Sequence, residues 1–142
     1  MRGQPDLSHV LRMWEQDRAS AALGIELLEV GVDPDDGRGH ARTRMTVLPT
    51  MVNGHDIAHG GYLFTLADST FALACNATGR TTVASGGDIT FVTAGRLGDV
   101  LVAQAQERVS FGRSGLTDVT VRRESDGAVV AELRGRSRAL PS

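Results

Sequence analysis

From Gly60 to Asn76 the chain reads GGYLFTLADSTFALACN, and Asp68 is the only charged residue in it. The apolar residues Leu63, Phe64, Leu66, Ala67, Phe71, Ala72, Leu73, Ala74 and Cys75 fall on every side of a helical wheel, the pattern of a helix that other elements must cover all round. Asn76 and Gly79 supply its end. Whatever this chain folds into must wrap one apolar helix and find a use for one carboxylate.

The flanking sequence supplies strands for the wrapping. Ile25 and Leu27, then Val30 and Val32 after a shift, lead into the turn cluster DPDDGRG, and Ala41, Thr43, Met45 and Val47 alternate with His40, Arg42, Arg44 and Thr46. This predicts a hairpin. Beyond the helix, strand-like runs at about 82–92, 100–110, 116–123 and 128–140 follow without helical interruption, the last two joined by a tight turn at Asp126-Gly127. Ahead of everything, Leu7, Val10, Leu11, Trp14, Ala21, Ala22 and Leu23 recur at helical spacing and stop at Gly24. The expectation is a single α+β domain over 1–142, with an N-terminal amphipathic helix and a curved antiparallel sheet of about six strands round one long helix.

Composition narrows the function classes. All fifteen basic residues are arginine, set against seventeen acids and scattered, so no basic stripe marks a nucleic-acid surface. No run reaches the roughly 18 apolar residues of a spanning helix, and the N-terminus has no uninterrupted apolar signal core. Cys75 stands alone, which excludes an intramolecular disulfide, suits a reducing compartment and reads as a small core residue. A cytoplasmic protein that binds neither membrane nor nucleic acid is expected.

A buried carboxylate costs several kcal/mol unless it is partnered or shifts its pKa. Asp68 is therefore either a structural Asp bonded to backbone donors or a functional group in a cleft, and no basic residue stands within two helical turns of it. Gly60 and Gly61 fall at the helix start, where free N–H groups and the positive end of the dipole can hold a carbonyl oxygen, although a Gly pair also marks an ordinary turn. Asp68 follows Gly60 by eight residues, about 12 Å along a helix, too far for both to act on one carbonyl. If they cooperate, they do so across two chains, which predicts an obligate dimer with two equivalent sites.

Other motifs carry two readings each. His55 and His59 have the spacing of a helical metal pair, but glycines flank them and no metalloprotease Glu follows, so loop-shaping hydrogen bonds are the preferred reading and no metal is expected. Asn53 either donates to a substrate carbonyl or makes an Asx turn. The FGRSG segment, with Gly112, Arg113, Ser114 and Gly115, is either a hairpin loop or bulge, or a phosphate contact. Tyr62, Phe64 and Phe71 read as core, Arg80 and Arg96 as solvated surface. Val119, Val121 and Val130 are expected on an outer sheet face that could pair dimers into tetramers.

The run Asn53-Gly-His-x-x-x-His-Gly-Gly-x-x-Phe-x-Leu-Ala-Asp68 resembles the hotdog-fold acyl-CoA thioesterases of the phenylacetate-pathway (PaaI-like) type, and the resemblance extends over 24–139. It implies a hotdog fold, homo-oligomers with sites between subunits, and hydrolysis of an acyl-CoA, aryl or phenylacetyl thioesters among them. No cofactor is implied beyond coenzyme A as part of the substrate. By resemblance Asp68 is the catalytic carboxylate, as nucleophile or general base, and Gly60 donates the N–H that polarises the thioester carbonyl. His59 and Asn53 match positions next to the reacting group, with Gly61 beside them, and Gly112 to Gly115 match a region that meets the CoA nucleotide. Relatives carry a hydroxyl in the strand after the helix. Here ASGGDITF offers Ser85, and the glycines Gly86 and Gly87 are expected to widen the acyl pocket. A hotdog hydratase or dehydratase and a non-catalytic acyl-CoA-binding module are the alternatives.

Overall fold

In the computed structural model, which describes residues 6–141, the N-terminal segment is two short helices where one is expected: α1 (Ser8–Glu15) and α2 (Arg18–Ala22). The break falls at Asp17, whose extended backbone lets its side chain accept from the Ser20 N–H at 2.9 Å. A short acidic side chain is more stable capping a helix than inside one. Gly24, at φ +72°, ends the segment as expected.

The chain then forms β1 (Glu26–Val32), β2 (Gly39–Thr46), α3 (Gly60–Asn76), β3 (Thr82–Phe91), β4 (Val100–Phe111), β5 (Ser114–Arg123) and β6 (Val129–Ala139). The shift between Leu27 and Val30 is a β-bulge at Leu28. All six strands belong to one antiparallel sheet in the order β1-β2-β4-β5-β6-β3. Because β3 crosses to pair with β6, a ten-residue strand forms one edge of the sheet, with its other side unpaired.

The sheet curves round α3. Leu66, Ala67, Phe71, Leu73 and Ala74 of α3 pack on Ala41 and Met45 of β2, Leu101, Ala103 and Ala105 of β4, Val119 and Val121 of β5, and Ala131 and Leu133 of β6. Small residues in the sheet bring the helix close. A Cβ on Gly39 would strike the Ala74 carbonyl, and one on Gly135 would enter the Phe71 ring. The polar groups inside are paired: the Thr70 hydroxyl lies 2.7 Å from both the Leu66 carbonyl and the Thr43 hydroxyl.

This register corrects the outer-face expectation. Val119, Val121 and Val130 are fully buried, and the outer face of β5 and β6 carries charge instead: Arg134 bonds both carboxylate oxygens of Asp118 at 2.7 and 2.8 Å, and Arg136 pairs with Asp88 of β3 at 3.0 Å. Among the described residues no helix is long and apolar enough to cross a membrane.

Candidate active site

One hollow of about 480 Å³ beside the first turn of α3 is lined by Leu23, Val52, His59, Gly61 and Tyr62 among others, and three more follow the helix from its start to its end. The middle one, of about 370 Å³, lies between α3 and the β3–β6 pair and is lined by Phe64, Asp68, Phe71, Ser85, Gly87 and Leu133 among others. Asp68 is exposed to it rather than sealed in the core, and among the described residues its carboxyl has no hydrogen-bond or ion-pair partner. The reading as a satisfied structural Asp therefore fails. Although the residue as a whole is exposed, the cleft walls strip enough water from the carboxyl for burial to raise its pKa above the ordinary 3.8, and the like charge of Asp17 adds to the rise.

Phe64, expected in the core, is instead exposed in this cleft, whereas Phe71 is buried beneath it and Tyr62 half-buried. Ser85 is the bulged residue between Ala84 and Gly86, and its hydroxyl donates to the Arg136 carbonyl at 3.2 Å. Gly87 pairs with Gly135 on the helix side of the sheet, where neither adds a side chain to the cleft wall. Gly86 differs from expectation. The space its Cβ would take is filled by the Arg136 guanidinium, 2.6 Å away at Nη2, so this glycine makes room for an arginine more than for an acyl chain.

The second hollow, about 260 Å³, opens at the start of α3 between Ala58, Gly60, Leu63, Phe91, Val92 and Gly95. A network in the preceding loop fixes this end. Asn53 Oδ1 accepts from the N–H groups of His55 and Ile57, Ala58 N–H donates to Gly95 O at 2.7 Å, and His59 N–H donates to Met51 O at 2.8 Å. Asn53 thus realises the Asx-turn reading through its oxygen. Asp56 takes φ +58° at the tip of the same loop, a conformation Asp tolerates better than most residues. His59 occupies the N-cap position with its backbone, no side chain caps the helix, and the Gly60 and Gly61 N–H groups have no acceptor among the described residues. The rings of His55 and His59 are both exposed, and among the described residues no three His, Cys, Asp or Glu side chains gather as a metal site.

Gly60 has a steric reason to be glycine as well. A Cβ there would lie 2.6 Å from Cζ of Phe91. Phe91 is itself half exposed and continues into Val92, also exposed. No motif in the sequence singled out this pair. Strand alternation alone would have placed Phe91 on the helix side, but not its exposure, which depends on β3 being an edge.

Gly112, Arg113, Ser114 and Gly115 share neither hollow. Gly112 (φ +62°) and Arg113 form the tight turn between β4 and β5, the hairpin reading of FGRSG. With Ser114, Gly115, Arg80 and Glu107 they line a third cavity at the C-terminal end of α3, beside Cys75 and Thr78. Neither guanidinium, of Arg80 or of Arg113, has an acidic partner among the described residues. Cys75 is buried there, its thiol pushed up to about 11 by burial, which leaves it an inert core residue as expected.

The unbroken helix keeps Gly60 and Asp68 eight residues apart, about 12 Å, so one chain does not bring the free N–H groups and the free carboxylate to one point. The family model of the thioesterase superfamily matches residues 55–130. The chain is 39% identical over 128 residues, 90% of its own length and 86% of the relative's, to the acyl-coenzyme A thioesterase PaaI of Escherichia coli. It superposes on the structure of the E. coli PaaI protein from the phenylacetic acid degradation operon with a TM-score of 0.86 at 37% identity, covering 96% of this chain and 98% of the other. A hypothetical thioesterase protein of Streptococcus pneumoniae solved with coenzyme A gives a TM-score of 0.77 at 25% identity, over 87% of this chain and 92% of the other.

Proposed function

The chain belongs to the thioesterase superfamily, and from that premise we propose that it is an acyl-CoA thioesterase, cleaving an acyl-CoA to a free acid and coenzyme A. The observation that carries this reading is the unpartnered Asp68 carboxylate in an apolar cleft. Its family context supports the substrate: one relative is named an acyl-coenzyme A thioesterase, and a structural neighbour was solved with coenzyme A.

Two copies pair through the free edge of β3, where Val83, Phe91 and Val92 are exposed. Pairing sets Gly60 of one copy beside Asp68 of the other. The thioester carbonyl accepts from the Gly60 N–H, with Gly61 next to it, so charge developing on oxygen meets a donor already in place. Asp68 takes a proton from a water as that water attacks the carbonyl carbon, or attacks the carbon itself and is then released by water. Collapse of the tetrahedral intermediate expels the CoA thiolate, a good leaving group. The carboxylate and the backbone amide supply this chemistry, with coenzyme A entering only as part of the substrate.

The remaining site residues take supporting roles. Asn53 keeps its amide Nδ2 available for the substrate while its oxygen holds the loop, and His59 flanks the amide donors. Ser85 lines the same cleft as Asp68, its hydroxyl donating to the Arg136 carbonyl. Arg113, with Gly112, Ser114 and Gly115, meets the anionic nucleotide end of CoA. Phe64, Phe71 and Leu133 make the cleft apolar and aromatic, which supports an aryl or phenylacetyl group. The decisive measurement is thiol release from short, medium-chain and aromatic acyl-CoA compounds by the wild-type protein. Turnover on at least one class is expected. Tight CoA binding without thiol release would make the chain a binding module, and hydration of an enoyl-CoA would make it a hydratase. Single-turnover hydrolysis in ¹⁸O-water separates nucleophile from base, since only the nucleophile acquires label in Asp68.

A further inference from the structure

Ser20 of α2 and Ser69 of α3 are both buried, and their hydroxyls meet at 2.7 Å. Ser20 Oγ also lies 2.6 Å from Asp17 Oδ2, while the Ser20 N–H donates to Asp17 Oδ1 at 2.9 Å. An ionised carboxylate can only accept. The Ser20 hydroxyl therefore gives its one proton to Asp17, and the Ser69 hydroxyl must donate to Ser20. The chain of bonds has one direction, from the helix residue next to Asp68 out to a fixed negative charge on the α1–α2 junction.

We propose that this buried chain, Asp17–Ser20–Ser69, is a positioning device that holds the Asp17 carboxylate against α3 at the residue next to Asp68, so that the catalytic group works beside a fixed negative charge. The proposal rests on the reading of Asp68 given above. It explains why the N-terminal segment breaks at Asp17: a continuous helix would carry that carboxylate along its axis without a cap to hold, whereas the cap fixes it against α3.

The other groups that face Asp68 leave the role to Asp17. On α3 itself Cys75 is neutral at pH 7 because burial holds its thiol at about 11, and Tyr62 lines the separate hollow at the helix start. From β3 and β6 the cleft receives Ala84, Ser85, Gly86, Gly87, Leu133 and Gly135, none of which titrates. Arg136 fills the space at Gly86 but is paired with Asp88. Burial of Asp68 is the larger reason its carboxyl holds a proton more firmly than usual, and Asp17 is the one charge that adds to it. For a general base, a carboxylate that binds its proton more firmly also removes one from water more readily.

The test is the titration of Asp68 followed by carboxyl ¹³C NMR, together with the pH dependence of kcat/KM, in wild type, Asp17→Asn and Ser69→Ala. Asn remains a good N-cap, so Asp17→Asn removes the charge while keeping α2. The Asp68 midpoint and the acid limb of kcat/KM are both expected to move to lower pH in Asp17→Asn, and to move the same way by less in Ser69→Ala, where the anchor is loosened. Asp17→Glu, which restores the charge, should return the limb toward wild type. An unmoved Asp68 midpoint in folded Asp17→Asn and Ser69→Ala would overturn the proposal, because a purely structural tether would change stability and not titration. The NMR midpoint reads the coupling whether or not Asp68 is catalytic, whereas wild-type turnover by Asp68→Asn would remove the catalytic reading alone.

Discussion

Asp68 sits where its charge is least comfortable. Burial and the charge of Asp17 raise its pKa above 3.8, so between the unfolded and folded values the native state binds more protons than the unfolded chain. The stability Asp68 contributes is thus fully present below its unfolded pKa and is lost as pH rises through the folded pKa. Replacing it by Asn should raise Tm at pH 7, and the gain should shrink as pH falls through the folded pKa. The same variant should lose turnover by about 10² or more, the usual worth of a positioned base. A lower Tm at pH 7 would reveal a stabilising partner that the structure does not contain. Gly60 permits a second subtraction. Pro is tolerated at the first helical position, and His59 before it is already extended, at φ −59° and ψ 139°, as a residue preceding Pro should be. Gly60→Pro deletes the N–H and should lower kcat by about 10² to 10³, the cost of one oxyanion donor, once Phe91 has moved aside. A variant with unchanged kcat would take the amide out of the mechanism.

The elements owe their spacing to a few close approaches. Gly135 lets the Phe71 ring lie on the sheet, and Gly135→Ala should destabilise the fold by about 1–3 kcal/mol through overpacking, read as a lower urea midpoint at unchanged m-value. No change in midpoint would mean that α3 can lift off β6 without loss. The β1–β2 and β5–β6 hairpins, the apolar helix and the later strands were legible in the sequence, since alternation and all-round apolarity are local signals. The break between α1 and α2 was less so. Val10, Trp14 and Ala21 keep a helical period across the junction, while the event that ends α1 is a cap made by Asp17 with Ser20. Strand faces were legible only within each strand. Val130 falls in a bulge between the pairs Val121–Ala131 and Arg122–Val129, and such a bulge changes which side of the sheet the following residues occupy.

At the scale of the whole molecule, the distance between Gly60 and Asp68 makes a prediction that neither residue makes alone. Asp68→Asn and Gly60→Pro homodimers should each be nearly inactive. A mixed dimer keeps one intact pair, the Asp68 of one copy with the Gly60 of the other. Random re-pairing of equal amounts makes half the dimers mixed, so activity should return to about a quarter of wild type if the site spans a two-fold interface. No recovery would place both groups in one subunit's site. The sequence by itself determined the helix that must be covered, the strands able to cover it and the single carboxylate among apolar residues, because these follow from side-chain periods of 3.6 and 2 that act between neighbours in the chain. Only the tertiary structure decided that β3 forms a free edge, that Val119 and Val121 face inward, that Arg136 claims the space at Gly86, and that Asp68 finds no partner among the described residues. Each of these depends on pairings between residues ten or more positions apart, where strand order and register, set by packing over the whole domain, choose among neighbours that local pattern leaves equivalent.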